Sequence, residues 1–400
     1  MTGFTTPWAP TSAELAACIE CGLCLPHCPT FRLTGDERLS PRGRINALRA
    51  VGGGVLTIEP SVAEVLESCL QCRSCEAACP SLVPFGRIME GGRAELAAAL
   101  PRARIRRAIA GRWMRRRRLL RVATFFAAVG QRLGGRRWLP KRLRVGMRGL
   151  RPLPFRSERF VGREFAPDGE ARGTVGLLAG CVMEPWFGGV HRALIAVLTA
   201  AGYRVVVPKA QTCCGALAVH EGRAADADRM REANRAAFAG VDLVVVDSAG
   251  CSAHMREHEV GVPVEDAVAM VDRLIIEGLL PRVSGGGVRV GVQDPCHHRH
   301  VQKIVAEPRR ILRAGGFEPI DVDPHGTCCG AAGLYSVAQP ATSTMLGRRR
   351  AGQAADADVA VIATANPGCE MQLRGHMETP VRVAHPIELY AEAVGLMGAQ

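Results

Sequence analysis

Hydrophobic and polar positions change rhythm near residue 173. From there on, β-branched runs such as VVVP (205–208) and VVVD (244–247) alternate with helix-like stretches such as GGVHRALIAVLTA (188–200) and AADADRMREANRAAFAG (224–240). Alternating strand and helix patterns predict small, mostly parallel sheets covered by helices. The pattern also repeats: VGLLAGC (175–181) aligns with VRVGVQDPC (288–296), TCCGALAVHEG (212–222) with TCCGAAGLYSV (327–337), and DLVVVDSAGC (242–251) with DVAVIATANPGC (358–369). Cys181 and Cys296 are 115 residues apart, as are Cys213 and Cys328, while Cys251 and Cys369 are 118 apart. A shared offset points to duplication. Residues 173–284 and 285–400 are therefore expected to form two related α/β domains.

Upstream the pattern is helical and polar over residues 1–100, where two tight cysteine runs lie. Residues 101–172 form an arginine-rich connector ending in a proline-containing stretch. Within it, RIRRAIAGRWMRRRRLLRVATFFAAVGQRL (104–133) spaces Ile105, Ile109, Trp113, Leu119, Leu120, Val122, Phe125, Phe126, Val129 and Leu133 in a pattern that predicts amphipathic helix. The expected fold class is multidomain, α+β and α/β: a helical module that carries both cysteine runs, followed by two duplicated α/β domains with mostly parallel sheets.

Composition and charge sharpen the picture. No apolar run reaches the roughly 18 residues of a membrane span. The N-terminal MTGFTTPWAPTSAELAAC lacks the basic and apolar regions of a secretory signal, so a cytoplasmic location is expected. In that compartment 16 cysteines favour metal over disulfides. The net charge of +13 comes from residues 102–151, which hold 17 Arg and one Lys with no Asp or Glu; the remainder carries −5. That balance argues against nucleic-acid binding. It suits a basic amphipathic helix lying on anionic lipid at the inner membrane face, or one packed against protein.

Both cysteine runs, CIECGLCLPHCP (18–29) and CLQCRSCEAACP (69–80), read C-x2-C-x2-C-x3-C-P, the bacterial ferredoxin spacing for [4Fe–4S] clusters. In two-cluster ferredoxins the fourth cysteine of each run serves the other cluster. Applied here, one cluster takes Cys18, Cys21, Cys24 and Cys79, and the other Cys69, Cys72, Cys75 and Cys28. Zinc sites are the alternative, but zinc ribbons do not require eight thiols in this order.

The repeats add two more sets: Cys181, Cys213, Cys214 and Cys251, then Cys296, Cys328, Cys329 and Cys369. Each CCG is expected to turn at its glycine and present both thiols to one site. The remaining cysteines come from strand ends, where α/β sheets place their sites. Buried small hydrophobes are the alternative reading. The stretch DPCHHRH adds His297, His298 and His300 beside Cys296, with His325 close to the second CCG. These could serve as ligands or proton relays, or form a polar rim.

A two-cluster module followed by two CCG domains resembles the iron-sulfur subunit family of bacterial glycolate oxidase (glycolate dehydrogenase). The residues that carry the resemblance are CGLCLPHCPTFRLTGDERLSPRGRI, CLQCRSCEAACPS, TCCGAAGLYSVAQP and TANPGCEMQL. It implies an electron-transfer subunit, with FAD-carrying partner subunits oxidising glycolate to glyoxylate and electrons passing towards quinone. Related CCG proteins serve lactate, glycerol 3-phosphate or heterodisulfide chemistry. In the heterodisulfide relatives the last cysteine belongs to a C-x2-C pair and five thiolates hold one cluster. Here His254 and Gln372 stand at the second position. His254 is a candidate ligand and Gln372 a poor one, so a further iron-sulfur cluster or zinc are alternative occupants of the CCG sites. No G-x-G-x-x-G follows a predicted strand, so flavin or nicotinamide chemistry is expected in a partner. A non-redox zinc-binding scaffold is the alternative from another functional class.

Overall fold

In the computed structural model of the chain, residues 3–101, 111–113, 116–133, 146–378 and 381–397 are described. The N-terminal module packs helices α1 (Pro41–Gly52), α2 (Pro60–Glu67) and α3 (Phe85–Ala99) around one core. Helix α1 starts where Ser40 Oγ accepts the Gly43 amide at 3.0 Å and Pro41 fills the first turn. Its buried stripe of Ile45, Leu48 and Val51 meets Val62 and Leu66 of α2 and Ile88, Met89 and Leu96 of α3. Cys69 and Cys75 belong to the same cluster, so the helices floor the cysteine loops directly.

In the arginine-rich region α4 runs from Arg117 to Arg132. The amphipathic pattern led to the expectation of a large apolar face, but the side chains turned inward are Leu120, Thr124 and Ala128. They lie against Leu150, Leu153 and Trp186, where Trp186 Nε1 donates to Thr124 Oγ1 at 2.9 Å and Arg121 pairs with buried Glu184 at 2.6 Å. Small side chains permit that close approach, which leaves Val122, Phe125, Phe126 and Leu133 exposed. The Ile105 and Ile109 positions of the pattern lie outside the described residues.

The C-terminal half contains two sheets. The first has strands β1 (Arg163–Phe165), β2 (Gly173–Leu177), β3 (Tyr203–Val207), β4 (Leu243–Val246) and β5 (Val264–Asp266) in the order β1-β3-β2-β4-β5. All pairs are parallel except β1 with β3. The antiparallel edge strand lies before residue 173, within the stretch read from sequence as connector. The second sheet has β6 (Arg289–Val292), β7 (Glu318–Asp321), β8 (Val361–Ala363) and β9 (Arg382–Ala384), all parallel, in the order β7-β6-β8-β9. Without β1, the two orders are the same. In register, Val175 faces Val205 and Leu243, and Val290 faces Pro319 and Val361.

Both sheets share a helical layer of α5 (Gly188–Ala200), α7 (Ala267–Ile276), α8 (Ala306–Ala314) and α11 (Pro386–Ala393), while α6 (Ala249–Glu257), α9 (Pro340–Asp356) and α10 (Pro367–His376) lie elsewhere. Ile311 of α8 and Ile387 of α11 join the core of the first sheet, whereas their neighbours Leu312 and Leu389 cover the second. One helix layer thus serves both sheets. Arg151 fastens it: its guanidinium bonds both Glu370 oxygens at 2.6 and 2.8 Å and both Glu388 oxygens at 2.7 and 2.8 Å. Burial drives the Glu370 carboxyl up, whereas the Arg151 pairing holds Glu388 below the usual carboxylate range against the same burial. Arg151→Ala would leave two buried carboxylates facing each other. It is expected to cost on the order of 3–5 kcal/mol, seen as a lowered urea midpoint followed by circular dichroism.

Candidate functional site

The first cysteine run winds as an irregular loop in which Glu20 (φ 61°) and Gly22 (φ 85°) take left-handed backbone. Those reversals bring Cys18, Cys21 and Cys24 around one partly open pocket that also meets Cys79. Arg49 donates to the Cys18 carbonyl at 2.5 Å and Arg42 to the Glu20 carbonyl at 2.9 Å, fixing the loop from α1. Cys21 is exposed.

The second run repeats the device with Gln71 (φ 51°) and Arg73 (φ 59°), but deep in the protein. Cys28, Cys69, Cys72 and Cys75 are all buried. Burial, reinforced by the neighbouring Cys72, Cys69 and Cys28 sulfurs, drives the Cys75 thiol well above its ordinary pKa. Crowded buried thiols repel one another as thiolates unless cationic metal is present, and metal deprotonates them outright. The donor set therefore fits an iron-sulfur cluster. Cys72 packs against Cys328, Tyr335 and Cys296 of the second repeat, and Tyr335 Oη donates to the Ser68 carbonyl at 3.0 Å.

Each repeat gathers its own thiols at the carboxyl ends of the strands. Cys181 follows β2, and Cys251 lies in α6 after β4. Cys214 and Cys251 sulfurs are 3.2 Å apart, and Cys181 meets Cys213. In the second repeat Cys329 and Cys369 are 3.0 Å apart and Cys296 meets Cys328. Both CCG glycines have positive φ, +101° at Gly215 and +86° at Gly330.

The two positions where cysteine is replaced behave differently. Gln372 is committed to structure: its amide donates to the Cys329 carbonyl at 3.2 Å and to Ser343 Oγ at 2.9 Å. His254 stands beside Gly215, where an added Cβ would lie 3.0 Å from its Nε2, and it also faces Glu90 and His258. Burial pushes His254 down to about 4, so its imidazole is neutral at physiological pH. The histidines of DPCHHRH part company. His297 Nδ1 lies 3.5 Å from Cys296 Sγ, His298 is buried against Asp266 at 2.8 Å, and His300 meets the Gly326 carbonyl at 2.9 Å. His325 is exposed.

Three buried arginines were missed from sequence. Arg44 Nη1 approaches Cys28 Sγ at 3.7 Å, while the rest of its guanidinium bonds the Val65 carbonyl, Thr30 Oγ1 and Ser68 Oγ at 2.8–3.0 Å. Arg93 joins the Cys69 carbonyl at 2.6 Å to the His220 carbonyl at 2.7 Å, linking the second cysteine loop to the first repeat. Arg350 donates to Thr327 Oγ1 at 2.7 Å and pairs with Asp323, bracing the second CCG loop. Each lies on the buried stripe of its helix, three or four residues from apolar neighbours such as Leu48, Met89 and Leu346. An arginine on an apolar stripe is the signal that could have found them.

A family of 4Fe-4S dicluster domains matches residues 14–83, and a family of cysteine-rich domains matches residues 175–256 and 290–374. The chain carries two [4Fe–4S] clusters in the first region. Over 96% of its length it is 30% identical to a probable glycolate oxidase iron-sulfur subunit of Bacillus subtilis, covering 94% of that protein. It is 29% identical to the glycolate oxidase iron-sulfur subunit of Escherichia coli, over 95% of this chain and 94% of the relative. Lactate utilization protein A of Geobacillus kaustophilus is 27% identical but aligns with 54% of this chain, covering 97% of its own. The chain belongs to the family of glycolate oxidase iron-sulfur subunits.

The CCG glycines give a local test. A Cβ at Gly330 would meet the Ser343 carbonyl oxygen at 2.9 Å, whereas one at Gly215 meets an imidazole atom. Gly330→Ala is expected to lower the thermal midpoint by the equivalent of about 2–4 kcal/mol, combining strained backbone with overpacking. Gly215→Ala should cost less, because a side chain can move more readily than a carbonyl. Differential scanning calorimetry of the two variants checks the order.

Proposed function

We propose that this chain is the electron-transfer subunit of a glycolate-oxidising complex, whose FAD-containing subunits convert glycolate to glyoxylate and whose electrons go on to quinone. The reading rests on its family and on one geometric feature: thiols continue from exposed Cys21, through the buried second set, to the contact of Cys72 with Cys328. When bound, the clusters supply one-electron storage between the flavin and the acceptor. In this assignment Cys18, Cys21, Cys24 and Cys79 hold the outer cluster, and Cys69, Cys72, Cys75 and Cys28 the inner one. The chain's own contribution is to fix both cysteine loops from α1 and α3, exclude water from the inner set, and set Arg44 beside it. The CCG cysteines form the far end of the route, within domains near residues 173–284 and 285–400.

No helix among the described residues is long and apolar enough to cross a membrane. The outward Val122, Phe125, Phe126 and Leu133, in a segment holding 17 Arg and no acid, suit peripheral attachment to anionic lipid on the cytoplasmic side. Vesicles rich in phosphatidylglycerol are expected to co-sediment the native chain in a salt-sensitive manner, and Phe125→Ser with Phe126→Ser to weaken this severalfold. Equal sedimentation of the double variant would assign the face to protein contact.

Cys28→Ser is expected to remove about four iron atoms per chain and the paramagnetic signal of the inner cluster, while the outer signal persists. Loss of the outer signal alone would overturn the crossed ligation. Mixed anaerobically with its flavin subunits, the chain should show glycolate-dependent cluster reduction. Reduction by D-lactate or glycerol 3-phosphate and not by glycolate would overturn the substrate reading.

A further inference from the structure

Three metal-binding side chains that are not cysteines converge where the N-terminal module meets the first repeat. His254 and His258 are four residues apart at the end of α6 and share one face. Glu90 reaches them from α3. One ligating atom from each of the three lies within 4.8 Å of the others. The imidazole centroids are 4.3 Å apart, with the rings inclined at 37°.

The spacing is informative. His258 Nε2 and Glu90 Oε2 are 3.5 Å apart, long for a charged hydrogen bond. Two ligands each about 2.0–2.1 Å from a tetrahedral zinc ion stand about 3.4 Å apart. The gap between this pair matches that expected for two atoms sharing an ion as well as that of an ion pair. His254 is buried, and its side chain is packed so that the imidazole has little freedom to lose on binding.

We propose that Glu90, His254 and His258 bind a divalent transition-metal ion, Zn²⁺ by geometry and donor set, that ties the ferredoxin-type module to the first CCG domain. Two nitrogens and one carboxylate oxygen are a common three-ligand set for zinc with a fourth position open to water. Zn²⁺ is favoured over Fe²⁺ at such a site by its intrinsic affinity. Glu90 and His254 also line a small, partly open pocket with Arg73, His220, Glu257 and His297. Gly250 and His297 on its wall are the sequence neighbours of Cys251 and Cys296. This site is separate from all 16 cysteines, and it uses His254 in place of the ligand role expected for it beside Cys251.

The test uses the full chain purified anaerobically with its clusters loaded, equilibrated with micromolar zinc chloride and passed through a desalting column. One zinc per chain is expected, with X-ray absorption at the zinc edge showing nitrogen and oxygen neighbours and no sulfur. Glu90→Gln and His258→Ala should each weaken zinc retention at least tenfold while iron and acid-labile sulfide stay at native levels. Both positions are partly exposed, and the iron content of each variant reports whether it has folded. If one variant loses iron, the other decides. Sulfur neighbours at the zinc edge, zinc retained equally by the folded variants, or no zinc bound by the native chain would each overturn the proposal, leaving Glu90 and His258 as an ion pair alone.

Discussion

Burying sulfur ligands that must become anionic is the constraint on which this structure turns. Nine of the sixteen cysteines are buried, among them the whole inner ferredoxin set and both CCG pairs. A thiolate in apolar surroundings is unfavourable unless cations or hydrogen-bond donors compensate. The protein answers with metal at the cysteines and with arginines drawn into helix stripes that would otherwise be apolar. Arg44, Arg93 and Arg350 each interrupt such a stripe, and each reaches a cysteine-bearing loop. An unpaired arginine inside a core would be costly; here carbonyls and hydroxyls, with sulfur at Arg44 and the Asp323 carboxylate at Arg350, partner the guanidinium groups while the loops gain a fixed shape.

The same constraint explains how the domains are joined. Two sheets whose parallel strands follow the same order could have stood apart, each with its own helices. Instead α5, α7, α8 and α11 form one layer, with alternate side chains of α8 and α11 turned to opposite sheets. This fixes the two CCG sites relative to each other. Arg93 and the contact between Cys72 and Cys328 then fix the N-terminal module upon them. A flexible linker could not hold sulfur sites at a constant separation, and electron transfer falls off steeply with distance.

Much of this was legible in sequence because it is periodic or spaced. The offset between Cys213 and Cys328 announced a duplication, and the strand runs announced parallel sheets. Ligand spacing pointed to cubane clusters before any geometry was available. What escaped was set by tertiary contact. The arginine stripe of α4 was read correctly as amphipathic, yet its packing face is Leu120, Thr124 and Ala128, because close approach to Trp186 favours small side chains over large ones. The four histidines near Cys296 and the second CCG looked equivalent as a cluster. In space His298 belongs to Asp266, His300 to the Gly326 carbonyl and only His297 to the cysteine. His254 likewise appeared to belong to Cys251 by sequence distance, whereas its neighbours include Glu90, some 160 residues upstream.

On the proposed ligand assignment, charge distinguishes the surroundings of the two cysteine sets. Arg42 borders the outer set and is paired with Glu37 at 2.6 Å, so that pair adds little net field. Arg44 lies at the inner set, fully buried, and its other partners are neutral oxygens of Val65, Thr30 and Ser68. An uncompensated cation in a low-dielectric interior stabilises the more negative, reduced state of an adjacent cluster and raises its potential. Burial of Cys28, Cys69, Cys72 and Cys75 acts the other way, so Arg44, which α1 holds in place through its buried stripe, offsets part of the cost that a dry interior places on the reduced state.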